Sequence, residues 1–322
     1  MAELIAGFDA GQTGSRCRLA DAASGTVLAE GNGPGVRHLA SPGGAEAFRA
    51  ALTTSLAGAM QTLGPGWRGS LQAAAVGASG IEVGSPVQEQ GRQLAAAALA
   101  LTLQRTAVTG DERTALRGAM GEARAGVVLI CGTGTIAVGR NRHGREHRCA
   151  GWGWLLDGAG SAVDIGRDGL SASLQMADGR RPDTALRQHL WHALELDHRD
   201  PAAAAAIKAR VVQPHFGAAG FAALAPLVVA AAGDGDRTAQ AIVQSNAEAL
   251  AAMAAAISQR LGLQQPPVWA MGGALSHLPL LRQELAGALA VQLPAAQLAT
   301  PAGDACTGAL SLARELLGLR RR

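Results

Sequence analysis

The sequence of 322 residues contains no tyrosine, and aromatic residues make up only 3% of it. With so few rings, the chain offers no stacking platform for nucleic-acid bases. The net charge of +3 is small for this length. The arginines at positions 320–322 are therefore interpreted as a solvated tail, and no nucleic-acid partner is expected.

The chain also has few cysteines, and Cys17, Cys131, Cys149 and Cys306 form no CxxC pair. This spacing matches no zinc or iron–sulfur pattern. The first residues lack the basic start and apolar core of a signal peptide. The most apolar predicted helical segment, 249–258, is too short to span a bilayer. We expect a cytoplasmic protein with no membrane partner.

Alanine, by contrast, is abundant, and hydrophobic residues make up 48% of the chain. This composition favours many close-packed helices. Three predicted strands, followed by strands alternating with helices, indicate an α/β lobe, and a second hairpin near residue 130 begins another lobe. We predict a first lobe over 1–117, a second lobe with a helical insertion over 118–302, and a last helix within 303–322 that packs back on the first lobe. In the helical stretch we predict helices over 182–194, 201–212, 220–232 and 238–261, and a further helix over 277–289.

The first predicted strand, 4–8, runs into a tight turn of small and polar residues, Asp9-Ala10-Gly11-Gln12-Thr13-Gly14-Ser15. Such a turn offers backbone N–H groups and hydroxyls to an anion, as phosphate-binding nests do. The Asp9 carboxylate suits a metal ion better than a phosphate. Taken alone, the turn can also be interpreted as an ordinary β-hairpin.

A second turn of the same type, Gly132-Thr133-Gly134-Thr135, follows the apolar run 127–131. Two strand–turn–strand units in one chain indicate an internal duplication, in which each half brings one hairpin to a shared phosphate. Two turns with matching flanks are stronger evidence than a single glycine-rich turn.

Further short motifs follow in a fixed order. The full set is Asp9–Thr13, Ser79–Gly80, Thr109–Asp111, Gly132–Thr135, Gly151–Gly153, Gly272–Gly273 and Gly303–Ala305. Through this set, over essentially its whole length, the chain resembles the N-acetylglucosamine/glucosamine kinases of the BadF-type ATPase group, within the actin–hexokinase–sugar kinase superfamily. The resemblance implies two actin-like (ribonuclease H-like) α/β lobes that close on binding, with ATP and Mg²⁺ in the cleft between them and an amino sugar opposite the γ-phosphate. Kinases of this type often form homodimers.

The resemblance also implies a role for each motif. Asp9 would hold Mg²⁺, and Thr13 and Thr133 would contact phosphate oxygens. The implied nucleotide-binding residues are Asp9, Gly11, Gln12, Thr13, Gly132, Thr133, Gly134, Thr135, Gly272, Gly273 and Ala274. The implied sugar-side residues are Gly151, Trp152, Gly153 and Asp157, although tryptophans such as Trp152 and Trp154 more often pack in a core.

Asp111 occupies the position of the family's catalytic aspartate and is the candidate general base, which would take the proton from the attacking sugar hydroxyl. The alternative is a helix N-cap, because a predicted helix over 112–120 follows directly. Both roles can hold at once, since an N-cap is a fixed carboxylate.

Two departures from the family pattern concern the sugar. The loop after the third strand, 33–38, lacks the family's asparagine. In Asp157-Gly158-Ala159-Gly160-Ser161, Gly158 and Ala159 stand where the family has an aspartate and a glutamate, although a one-residue shift would let Asp157 supply a carboxylate. The expected activity is ATP-dependent phosphorylation of an amino sugar or a related hydroxylated compound.

Two alternatives stay open. One is the ATPase activator of a dehydratase, a branch of the same superfamily that carries an iron–sulfur cluster on cysteines. The other is a non-catalytic nucleotide- or sugar-binding regulator, which the altered sugar-side turn favours.

Overall fold

The computed structural model describes residues 2–64 and 69–319, so the predicted arginine tail at 320–322 lies outside the described residues. The chain divides into two compact units. The first comprises Met1–Ala123 together with Thr300–Arg322, and the second comprises Arg124–Ala299.

The first unit is built on a five-stranded sheet in the order β3-β2-β1-β4-β5. Its strands are β1 (Ala2–Ala10), β2 (Ser15–Asp21), β3 (Val27–Gly33), β4 (Gly69–Ala78) and β5 (Thr106–Gly110). Strands β1, β2 and β3 form an antiparallel meander, while β1, β4 and β5 run parallel to one another. The first predicted turn therefore joins two central, paired strands.

Helices cover both faces of this sheet because its strands are apolar on both sides. They are α1 (Gly44–Leu63), α2 (Pro86–Ala98), α3 (Asp111–Met120) and, from the end of the chain, α12 (Ala305–Leu316). Phe8 of β1 is buried with Phe48 of α1. Ile5 of the same strand is buried on the opposite side of the sheet with Leu310 of α12. The N-terminal segment of this unit ends at Ala123, after α3. We predicted the boundary at residue 117, which lies inside α3.

The second unit repeats this sheet, in the order β10-β9-β6-β7-β8. Its strands are β6 (Gly126–Cys131), β7 (Thr135–Arg140), β8 (Glu146–Ala150), β9 (Pro267–Met271) and β10 (Gln297–Ala299). Strands β6, β7 and β8 form the antiparallel meander and β6, β9 and β10 are parallel, as their counterparts are in the first unit. The identical order and directions confirm the predicted duplication of the fold.

The helices of the second unit lie mainly between β8 and β9. They are α4 (Ala162–Ala177), α5 (Ala185–Ala193), α6 (Ala203–Val211), α7 (Gly217–Ala222), α8 (Ala225–Gly233), α9 (Arg237–Leu261), α10 (Gly273–His277) and α11 (Pro279–Gln292). Two predicted helices were wrong in extent. The helix predicted over 220–232 is divided into α7 and α8, and the one predicted over 277–289 begins only at Pro279. Proline is the reason in both cases, because Pro226 and Pro279 lack an N–H group and are tolerated only in the first turn of a helix.

Over the described ranges, no single helix has the length and apolar character needed to cross a bilayer. The segments Gly217–Gly233 and Arg237–Leu261 meet that test only when joined, and they are bent by 117°.

Candidate active site

In the first unit, the sheet brings Asp9 and Asp111 to one edge. Asp9 of β1 is in register with Gly77 of β4, and Gly77 is in register with Thr109 of β5. Because these strands are parallel, their carboxyl ends meet at the same edge, where α/β proteins commonly bind ligands. Asp111 follows β5 directly, so the two residues lie at the same edge of the sheet, with β4 between their strands.

Asp111 is electrostatically unusual. Burial, the Glu112 carboxylate and the Asp9 carboxylate together raise the pKa of Asp111 to about 7. Its Oδ1 accepts a hydrogen bond from the Glu112 N–H at 3.0 Å. The N-cap of α3 is Gly110, and Asp111 is the first helical residue, so the alternative N-cap role was wrong by one position. A carboxyl that titrates near neutrality is suited to accept a proton.

Asp9 belongs to a charged cluster that the sequence analysis did not identify. Its Oδ2 lies 3.8 Å from Nη2 of Arg16, and the same Arg16 nitrogen lies 2.8 Å from Oδ2 of Asp304. Arg18 also binds Asp304, with nitrogen–oxygen distances of 2.9 and 3.0 Å. Burial raises the pKa of Asp9, Arg16 offsets this in part, and the Asp304 charge raises it further. Asp304 caps α12 by accepting the Thr307 N–H, so this helix start also anchors the two arginines. The spacing of Arg16 and Arg18 on one face of β2 was the available signal.

The first glycine–threonine turn leaves donors available. The Gly11 N–H closes the turn on the Gly14 carbonyl at 3.0 Å, and the Val36 N–H donates to the Gly11 carbonyl at 2.9 Å. The N–H groups of Gln12, Thr13 and Gly14 donate to no backbone carbonyl within 2–64 and 69–319. Gln12 and Thr13 are exposed. Adjacent free N–H groups of this kind are what an anion nest presents.

The second turn is similar, but its threonines differ. The Gly132 N–H donates to the Gly134 carbonyl at 2.9 Å, and Thr133 and Gly134 are exposed. Thr135 is only 5% exposed and lies beside the Cys131 thiol. Thr133 is therefore accessible to a ligand, whereas Thr135, the first residue of β7, is buried.

The segment Gly272–Ala274 lies directly beside this second turn. Gly272 has φ +93°, and a Cβ at this position would overlap the Cys131 carbonyl oxygen, so only glycine fits. The strand register agrees, since Ile130 pairs with Met271. Two of the motifs assigned to the nucleotide therefore meet at one edge of the second sheet.

The sugar-side turn follows β8. Gly151 and Gly153 both have positive φ. Trp152 is 62% exposed, with the Arg148 guanidinium 4.7 Å from its ring centroid, so core packing was the wrong expectation for this residue. Trp154 is half-buried and packs against Phe221, with ring centroids 6.1 Å apart.

Hydrogen bonds join the end of the sugar-side turn to the second glycine–threonine turn. The Ala162 N–H donates to the Gly132 carbonyl at 3.0 Å, and the Cys131 thiol donates to the Gly160 carbonyl at 2.9 Å. Asn246 of α9 fixes the same glycine from the other side, because its Oδ1 accepts the Gly160 N–H at 2.9 Å. Asn246 was missed in the sequence analysis. The only signal for it was an asparagine within an alanine-rich predicted helix.

The predicted residues are divided between the two units, and most of them follow strands at one edge of each sheet. The first unit contains Asp9, Gly11, Gln12, Thr13 and Asp111, and the second contains Gly132, Thr133, Gly134, Thr135, Gly151, Trp152, Gly153, Asp157, Gly272, Gly273 and Ala274. Within the described residues, no group of three or more histidine, cysteine, aspartate or glutamate side chains is arranged to hold a metal ion. Cys17, Cys131 and Cys306 are buried free thiols.

Comparisons with known proteins agree with this architecture. Residues 6–311 match the model of the BadF/BadG/BcrA/BcrD ATPase family. The N-acetylmuramic acid/N-acetylglucosamine kinase of Clostridium acetobutylicum is 29% identical over 209 residues, which cover 64% of this chain and 66% of that protein. The N-acetyl-D-glucosamine kinase of Dictyostelium discoideum is 32% identical over 191 residues, which cover 58% and 59% respectively. The matches thus span less than two thirds of either curated relative.

Solved structures extend the likeness to the whole fold. A Chromobacterium violaceum protein, provisionally described as an N-acetylglucosamine kinase, is 28% identical with a TM-score of 0.73, covering 96% of this chain and 98% of that one. A glucokinase of the ROK family from Streptomyces griseus, solved with glucose and AMPPNP, is 18% identical with a TM-score of 0.60, covering 97% and 99%. The predicted α/β fold class with two related lobes is confirmed, and the predicted nucleotide cleft between the lobes stays a prediction.

Proposed function

The chain belongs to the BadF/BadG/BcrA/BcrD ATPase family, and from that premise we propose that it is an ATP-dependent kinase of an amino sugar such as N-acetylglucosamine or glucosamine. The kinases named among its relatives support this proposal. The observation that carries it is the pair Asp9 and Asp111, which lie at one sheet edge with raised pKa values.

In the proposed reaction, Asp111 is the general base. The attacking sugar hydroxyl forms a bond to the γ-phosphorus of ATP, the bond between that phosphorus and the ADP oxygen breaks, and the hydroxyl proton passes to the Asp111 carboxylate. Phosphoryl transfer needs mainly positioning and charge neutralisation, so one oriented base is sufficient. A pKa of about 7 leaves a substantial fraction of Asp111 ionised at neutral pH and gives the base enough strength to accept the proton.

The residues beside Asp111 fit a Mg²⁺ ion. Besides burial and Glu112, the charge of Asp9 raises the pKa of Asp111, and a cation beside Asp9 would offset that repulsion. Since magnesium usually keeps several waters and takes only one or two protein carboxylates, the absence of a larger ligand group among the described residues is compatible with such a site. Asp9 would hold the ion, which would neutralise charge on the phosphate oxygens.

We assign the two turns to the phosphates of ATP. In the first unit, Gln12, Thr13 and Gly14 offer N–H groups that donate to no backbone carbonyl of the described residues, and in the second unit Thr133 and Gly134 are exposed. In this proposal the N–H groups of Gly11 and Gly132 close the two turns, and the buried Thr135 stabilises the second turn. The adenosine lies against Gly272, Gly273 and Ala274. The sugar side consists of Gly151, Trp152, Gly153 and Asp157. Closure of the lobes, homodimer formation and a cytoplasmic location stay predictions.

The proposal is tested by ADP release with a panel of acceptors: N-acetylglucosamine, glucosamine, N-acetylmuramic acid, glucose and no sugar. We expect release that depends on sugar and on Mg²⁺ and is fastest with an amino sugar. ATP binding without any sugar-stimulated release would instead favour the regulator. Iron and sulfide bound after anaerobic purification would favour the activator of a dehydratase.

A further inference from the structure

A buried carboxylate of α4 lies in the space that a side chain at Gly158 would need. A Cβ at Gly158 would overlap Oδ1 of Asp164 and would be 3.0 Å from its Cγ. The φ angle of Gly158 lies outside the left-handed region, so its backbone conformation does not demand glycine. The missing side chain at 158 is explained by the neighbouring carboxylate.

Asp164 does not make the capping hydrogen bond that its position in α4 would allow. It is the third residue of α4, three positions after the N-cap Ser161, where an acidic side chain commonly bonds back to the N-cap N–H. Here the Ser161 N–H donates instead to the Gly158 carbonyl at 2.9 Å, so that reciprocal bond is not made. The carboxylate of Asp164 is directed at the turn rather than at the helix start.

The carboxylate is also incompletely satisfied. Asp164 is only 7% exposed, and its Oδ1 makes an ion pair with Nη2 of Arg167 at 2.5 Å. Apart from this ion pair, the buried Oδ1 accepts no hydrogen bond from the described residues. Burial and the charges of Asp168 and Asp157 raise the pKa of Asp164, against the lowering effect of Arg167. A desolvated carboxylate with so few hydrogen bonds is costly and would gain from donors supplied by a ligand.

The position of Asp164 relates it to the substrate side. Arg167 also donates to the Trp154 carbonyl at 3.5 Å, so the Asp164–Arg167 pair is attached to the turn that holds Gly151–Asp157. The N-terminus of α4 is hydrogen-bonded to the second glycine–threonine turn through Ala162 and Gly132. We propose, resting on the sugar kinase function above, that the Asp164 carboxylate binds hydroxyl groups of the sugar in place of a side chain at position 158.

The test removes the carboxylate at position 164 and then places one at position 158. Asp164→Asn and Asp164→Ala are expected to raise the KM and the Kd for N-acetylglucosamine and glucosamine by about ten- to a hundredfold, as for loss of a charge-assisted hydrogen bond, with the KM for ATP unchanged. In the Asp164→Ala background the space beside residue 158 is vacant. The double variant Gly158→Asp/Asp164→Ala is therefore expected to recover most of the lost sugar affinity. Asp178→Asn, at the exposed C-cap of α4, is the matched control and should leave sugar binding unchanged.

Sugar binding is measured by calorimetry without nucleotide, and turnover is measured by ADP release. Failure of the Asp164 proposal can therefore be distinguished from failure of the kinase proposal. Unchanged sugar Kd in Asp164→Asn, or a double variant that binds ATP normally but sugar no better than Asp164→Ala, would overturn the role of Asp164 while leaving the kinase proposal intact. Sugar binding that depends on Asp164 without turnover in the wild type would overturn the kinase proposal and uphold this one. A wild-type protein that neither binds nor phosphorylates these sugars would overturn both.

Discussion

The Asp9 carboxylate raises the pKa of Asp111 across the carboxyl edge of the first sheet, in addition to the larger effects of burial and Glu112. The two residues belong to β1 and to the start of α3, and the parallel pairing of β1, β4 and β5 brings them to the same edge of the sheet. A repulsive pair of this kind lowers the stability of the folded state, and such arrangements occur mainly at functional sites.

The first prediction concerns the pH dependence of catalysis. Because Asp111 must be ionised to accept a proton, kcat/KM for the sugar should fall about tenfold per pH unit below about 7 and level off above it. Steady-state rates between pH 5 and 9 measure this. A profile with no break near neutrality would contradict the role of Asp111 as the base.

The same carboxyl predicts an effect on stability. Folding raises the pKa of Asp111 from 3.8, so its contribution to the free energy of unfolding is fully present below pH 3.8 and is lost as the pH rises through about 7. Asp111→Asn cannot ionise and should therefore melt at a higher temperature than the wild type at pH 8, with a smaller difference at pH 5. Calorimetry at both values tests this, and a variant that melts lower at pH 8 would refute the argument.

Thr133 and Thr53 form a matched pair for the nucleotide side. Thr133 is exposed in the second turn, whereas the Thr53 hydroxyl donates within α1 to the Arg49 carbonyl at 2.9 Å. Thr133→Ala should raise the KM for ATP about tenfold, as for loss of one hydrogen bond to a charged oxygen. Thr53→Ala should leave it unchanged, and equal values for all three proteins would remove Thr133 from the nucleotide site.

A fourth prediction tests how α12 is held on the first unit. A Cβ at Gly308 of α12 would overlap the Thr114 carbonyl oxygen of α3, whereas Gly287 of α11 has no heavy atom within 4 Å of such a Cβ. Gly308→Ala should therefore destabilise the protein by about 1–3 kcal/mol through overpacking. Gly287→Ala should stabilise it by about 0.5–1 kcal/mol through helix propensity. Urea unfolding of the two variants measures both, and a neutral Gly308→Ala would contradict the close helix contact.

The sequence allowed the strands and turns of both sheets to be predicted, because apolar runs ending in glycine and threonine are local signals. The break between α7 and α8 was missed even though Pro226 marks it, since the apolar pattern continues through the proline. The exposure of Trp152 could not be anticipated, because tryptophan is usually buried and only the path of the backbone after β8 turns this ring outward.

The charged groups around the candidate site were the least predictable. Arg16 and Asp304 form an ion pair although they lie near opposite ends of the sequence, and Asp304 had been noted only as part of the motif Gly303–Ala305. Asp164 resembled an ordinary acidic residue in the first turn of α4, and only its distance from Gly158 distinguishes it. Contacts of this type depend on how distant segments pack, which periodicity and motif spacing do not encode.

The most direct test of the account is detection of the phosphorylated sugar by ³¹P NMR, with ATP, Mg²⁺ and N-acetylglucosamine or glucosamine at pH 8. We expect a new phosphomonoester signal with the wild type and with the exposed control Glu46→Gln, and a rate lower by about 10²–10⁴-fold with Asp111→Asn despite normal ATP binding. Equal rates for Asp111→Asn and the wild type, or inorganic phosphate as the only product, would contradict it.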